Sequence, residues 1–125
     1  MTQAVNIAAL PNGNDAPIYA CRAWCTLVGP DILSSHSTTG ISTHGNISSV
    51  KDLGTGRYEI IMDHAMPDTD YCVLVTAKDS SLGQGNGTRS QVASTTHTNT
   101  TFTVEFWGWT GSSFEPPQVF IAVFR

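Results

Sequence analysis

The chain has 125 residues, a formal net charge of −4 and only 13% charged residues, about half the usual fraction. Its six Lys and Arg are spread thinly and form no phosphate-tracking patch, which argues against nucleic acid as a partner. No run reaches the roughly 18 apolar residues of a membrane span. Thr, Ser and Gly replace the missing charge, a composition of strands rather than helices, in a length that fits one domain.

In chain order, residues 1–19 read as an N-terminal arm and residues 20–125 as the folded domain. The arm holds Ala4, Val5, Ile7 and Leu10, then a turn-forming Pro11-Asn12-Gly13-Asn14-Asp15. It is too short to hold itself together. Its start lacks a basic n-region, so no secretory signal is expected.

Ala20 to Val28 reads as a strand with Cys21, Ala23, Cys25 and Leu27 on one apolar face. Arg22, Trp24, Thr26 and Val28 form a mixed face. Gly29-Pro30-Asp31 ends it. Ser34 to Gly45 is a polar loop or a weak edge strand. Asn46 to Asp52 is a strand in which Ile47 and Val50 fall out of register with each other. From Gly54 to Val75 two strands follow, joined by a tight connection at Ala65 to Asp70. Tyr58, Ile60 and Met62 share one face of the first. Tyr71, Val73 and Val75 share one face of the second, and Cys72 and Leu74 are apolar on the other.

Asp79 to Asn86 is a loop, and Thr88 to Thr98 a strand candidate of low hydrophobicity. Phe102, Val104 and Phe106 line one face of the next strand, with Glu105, Trp107 and Trp109 opposite. The chain ends on Val119-Phe120-Ile121-Ala122-Val123-Phe124-Arg125. Six consecutive apolar residues there predict a central strand covered on both faces. The sum is all-β: a single antiparallel β-sandwich of about seven or eight strands.

Little in the sequence points to chemistry. His36, His44, His64 and His97 fit no metal-ligand spacing. Asp63, Asp68 and Asp70 cluster at one turn, where Asx-turn roles explain them as well as calcium does. No nucleophile elbow, phosphate loop or catalytic carboxylate pair is visible. No metal, cofactor or catalytic residue is therefore assigned, and the chain is read as a non-enzyme. Three sequons, at Asn46, Asn86 and Asn99, are expected by chance in so Thr- and Ser-rich a chain. Cys21 and Cys25 lie about 13 Å apart along a strand, beyond the roughly 7 Å that a disulfide allows. With Cys72 they are expected to be reduced, buried thiols. Trp107 and Trp109 are the candidate ligand or subunit contact, where indoles stack on sugar rings or bury against a neighbour.

A two-layer sandwich of this size has one interior, which uses one face of each strand. The surplus apolar faces then predict an obligate oligomer, with Cys72, Leu74, Phe120, Ala122 and Phe124 as the candidate interface.

Several phrases, in order, resemble small β-structured domains of phage tail-fibre-like and other virion-surface proteins of the marine and cyanobacterial phage type. They are Ala16-Pro17-Ile18-Tyr19-Ala20-Cys21-Arg22-Ala23-Trp24, Gly45-Asn46-Ile47-Ser48-Ser49-Val50, Gly54-Thr55-Gly56-Arg57-Tyr58, Ala65-Met66-Pro67-Asp68 with Asp70-Tyr71, and Val119 to Arg125. The resemblance spans residues 16–125 and departs at Cys25 to Pro30, where the family carries a Phe-Asn-Gly-type segment. It implies a trimer-forming module without catalytic residues, located in the virion and assembled in the bacterial host cytoplasm. The implied partners are copies of itself, other virion proteins and a host surface glycan. A tail-fibre or receptor-binding role is the first expectation. A capsid-decoration or tail/neck connector protein and a lectin-like, carbohydrate-binding domain are the alternatives.

Overall fold

The structure is a computed structural model, described for residues 21–78, 89–93, 96–108 and 110–125. Residues 1–20, 79–88, 94–95 and 109 lie outside the described residues, and with them the expected arm, the expected loop at Asp79 to Asn86, part of the strand candidate Thr88 to Thr98, and Trp109. Among the described residues eight strands run in chain order: β1 Cys21–Leu27, β2 Ile41–Gly45, β3 Ile47–Gly54, β4 Arg57–Met62, β5 Cys72–Lys78, β6 Arg89–Ala93, β7 Thr101–Trp107 and β8 Gln118–Phe124. They form two four-stranded antiparallel sheets, ordered β2-β1-β8-β5 and β3-β4-β7-β6. The expected all-β sandwich is present.

Strand alternation builds the core between the sheets. The first sheet sends in Ala23, Cys25 and Leu27 from β1 and Val119, Ile121 and Val123 from β8. The second sends in Tyr58, Ile60 and Met62 from β4 and Phe102, Val104 and Phe106 from β7. As its uniform apolarity predicts, β8 lies centrally, between β1 and β5. Its inner residues are buried, but Phe120 on its outer face is 42% exposed, so the cover expected on both faces is not supplied by the described residues.

The connection after β4 does not make a hairpin. β4 belongs to the second sheet and β5 to the first, so residues 63–71 cross the sandwich. This lets the apolar faces of both strands meet across the core, where side-by-side pairing would not join them. Tyr71 anchors the crossing. Its hydroxyl donates to the Thr98 carbonyl at 2.6 Å and its ring stacks on His97 with centroids 4.2 Å apart. Burial pushes that phenol up to about 12.

Asn46 makes another switch between sheets, from β2 to β3, with φ 56°. Asparagine tolerates this left-handed conformation better than most residues. Its side-chain amide donates to the carbonyls of Arg22 at 3.1 Å and His64 at 3.2 Å, and its side-chain oxygen accepts from the His64 N–H at 2.6 Å. One side chain thus ties three segments together. At the far side, Ser90 Oγ donates to the Val75 carbonyl at 3.3 Å and links edge strands β5 and β6.

Two bulges correct the simple period-two reading. In β3 the register shifts between Ile47 and Ser49, so Ile47 and Val50 both face inward despite their odd spacing. In β1 the register shifts between Cys21 and Ala23, so Cys21 pairs with outward-facing Phe124. Cys21 and Cys72 are therefore exposed, against the expectation of three buried thiols, and Cys25 alone is buried.

Candidate functional site

The outer faces of the two sheets differ in chemistry. On the first sheet, Ala122 of β8 pairs with Trp24 of β1 on one side and Leu74 of β5 on the other. Two residues away along β8, on the same face, stand Phe120 and Phe124. A small residue is thus ringed by four large apolar ones. Trp24 is 44% exposed and Leu74 56%. Cys72 and Cys21 flank Phe124 as its partners on the adjacent strands.

The expected interface residues Cys72, Leu74, Phe120, Ala122 and Phe124 fall together on this one face. Trp24 belongs with them, although its neighbours Arg22 and Thr26 disguise it in the sequence. Gly45 explains how the indole lies there: a Cβ at Gly45 would sit 2.4 Å from Trp24 Nε1. The ring occupies the space that glycine leaves on the strand beside it.

The outer face of the second sheet is polar. Arg57 Nε meets Glu105 Oε1 at 2.9 Å, and Gln91 Nε2 donates to Glu105 Oε2 at 3.0 Å. Glu59 pairs with Lys51 across β3–β4 and meets His36 Nε2 at 2.6 Å. Trp107 stands on this face directly opposite Arg89. An open groove of about 550 Å³ lies there, lined by Arg89, Ser90, Gln91, Trp107 and Gly111. Sequence reasoning singled out Trp107; Arg89 and Gln91 went unnoticed because β6 carries little apolar signal. Trp109 lies outside the described residues.

Among the described residues no three His, Cys, Asp or Glu converge where a metal ion could sit. The acidic turn is otherwise engaged. Asp68 makes a bidentate pair with Arg125 and accepts from the Asp70 N–H at 2.8 Å. The Arg125 hydrogen bonds, then that N–H, hold its carboxyl below the usual range. Asp63 lies 3.5 Å from His64 Nδ1. Tyr58 is fully buried, with its hydroxyl 3.4 Å from Glu115 Oε1. Burial first, and the Glu115 and Asp52 charges next, raise its pKa, which suits a structural phenol rather than a proton donor.

These features define a β-sandwich with one apolar and one polar outer face. Comparison with protein-family models, curated proteins and solved structures gave no match to the chain.

Proposed function

We propose that the chain is a non-enzymatic structural protein of a phage virion, a trimeric tail-fibre or receptor-binding module that associates through the outer face of its first sheet. The carrying observation is the apolar ring of Trp24, Leu74, Phe120 and Phe124 around Ala122. The three strands that carry the ring, β1, β5 and β8, are each seven residues long and lie about 4.8 Å apart, which gives a face of roughly 300 Å². Apolar patches of that order on soluble proteins are commonly binding surfaces. Burying it against a copy contributes about 25 cal/mol per Å² of apolar area, before association costs. The number three and the virion context rest on the resemblance of the ordered phrases to tail-fibre-like domains.

Light scattering on the purified protein tests the association. A trimer is expected at micromolar concentration, and Phe120→Asp should yield a folded monomer, because Phe120 faces away from the core. A wild-type monomer would overturn the association, and a dimer would overturn the stoichiometry. Immunogold labelling of intact particles tests the location; label absent from virions would remove the virion role.

A further inference from the structure

We infer that the groove between β6 and the end of β7 binds an acidic sugar, with Trp107 as the stacking platform and Arg89 as the carboxylate clamp. The inference deepens the receptor-binding half of the proposal above and is independent of its association half, since one chain supplies every lining residue.

The register sets up two adjacent rungs on the polar face. Arg89 lies opposite Trp107, and Gln91 lies opposite Glu105. Cross-strand neighbours have Cβ atoms about 5 Å apart, so guanidinium and indole border one space. Both oxygens of Glu105 are occupied, one by Arg57 and the other by Gln91. That fixes the Gln91 amide with its NH₂ toward Glu105, since a carboxylate only accepts. Its carbonyl oxygen is left to accept from a ligand hydroxyl. Arg57 offsets the Glu105 charge, and among the described residues Arg89 has no carboxylate partner. Arg89 is the one charged side chain among the described lining residues, and it is positive.

On the opposite wall the described lining residue is Gly111. The chain turns back after β7: the Gly111 N–H donates to the Gly108 carbonyl at 3.0 Å, and Ser113 bridges to Trp107. Gly111 has φ 80°, which glycine adopts without strain, and a Cβ there would meet open space. No side chain at Gly111 closes the groove. An apolar indole face, a planar guanidinium fork and a fixed acceptor match the C–H face, the carboxylate and a hydroxyl of a uronic acid. The volume suits one or two sugar rings.

The test uses ¹⁵N-labelled full-length protein titrated with glucuronic acid and, separately, glucose, to roughly 50 mM each. The indole N–H signal of Trp107, assigned by its loss in Trp107→Phe, should shift with glucuronic acid at least about tenfold more tightly than with glucose. The Trp24 signal, on the other sheet, should stay still. Arg89→Gln should remove the preference for the acid and leave the melting temperature unchanged, because Arg89 is exposed. Trp107→Ala should weaken both sugars, and Trp107→Phe should restore part of the binding. Equal response to the two sugars, no response to either, or a preference that survives Arg89→Gln would each overturn the inference. Light scattering separates this result from the association proposal, because mass reports association whether or not a sugar binds.

Discussion

At the residue scale, burial controls Cys25. Desolvation raises its thiol from an ordinary 9.0 to about 12. A group whose folded pKa lies above its unfolded value contributes stability that is complete below the unfolded pKa. That stability is lost as pH rises through the folded one. The fold should therefore weaken progressively from about pH 9 upward. Tyr71, raised to about 12 by the same cause, adds to the loss at higher pH. Thermal melts across this range should show Cys25→Ala less stable at neutral pH, with a shallower alkaline decline than wild type. Parallel declines would mean that Cys25 does not sense its burial. Gly56 is under a different constraint. Its φ is 67° and a Cβ would lie 2.1 Å from the Phe114 carbonyl oxygen. Backbone on both sides cannot yield, so Gly56→Ala should cost about 2–4 kcal/mol in chemical denaturation. Gly45→Ala meets only the Trp24 indole, which can swing outward, and should cost under about 1 kcal/mol.

At the element scale, the corners matter more than the strands. Asn46→Ala removes four side-chain hydrogen bonds and the residue suited to left-handed backbone, and should cost about 2 kcal/mol. Asn46→Gly keeps the conformation and loses the bonds, so it should fall between wild type and Asn46→Ala in denaturant midpoint. Identical losses would leave backbone conformation no role at this corner. The same positions limit what the sequence reveals. Strand identity follows from alternation, which is why Phe102, Val104 and Phe106 or Val119, Ile121 and Val123 can be assigned to a core unseen. Bulges break that alternation by one residue. Cys21 shares the period of Ala23 and Cys25, yet the extra residue in β1 turns it outward. Crossings are equally hidden: Pro67 and Asp68 mark a turn but do not say whether the next strand pairs beside β4 or faces it across the core. The polar groove is least legible, because Arg89 and Gln91 acquire meaning only opposite Trp107 and Glu105 on a neighbouring strand.

At the scale of the whole molecule, the two outer faces differ in chemistry, apolar on the first sheet and polar on the second. The exposed thiols report on this division. Cys21 and Cys72 sit on the apolar face as the two partners of Phe124, and Cys25 points into the core. If copies meet on this face, Cys21 and Cys72 are covered in the assembly without touching the core of either protomer. Thiol labelling in the absence of denaturant then has three expected results. In the assembled wild type all three cysteines should react slowly. In dissociated Phe120→Asp, Cys21 and Cys72 should become fast while Cys25 stays slow. In denaturant all three should be fast. Each rate reads a separate physical state: covered by a neighbour, exposed on one chain, or buried inside it. The arrangement also makes Gly45→Ala informative, because displacing the Trp24 indole changes the shape of the apolar ring at little cost to the protomer. That variant should shift the assembly toward monomer while its protomer melts close to the dissociated Phe120→Asp protein. Fast labelling of Cys72 in an assembly of confirmed mass would show that copies join through some other surface, and the apolar ring would then need a different partner.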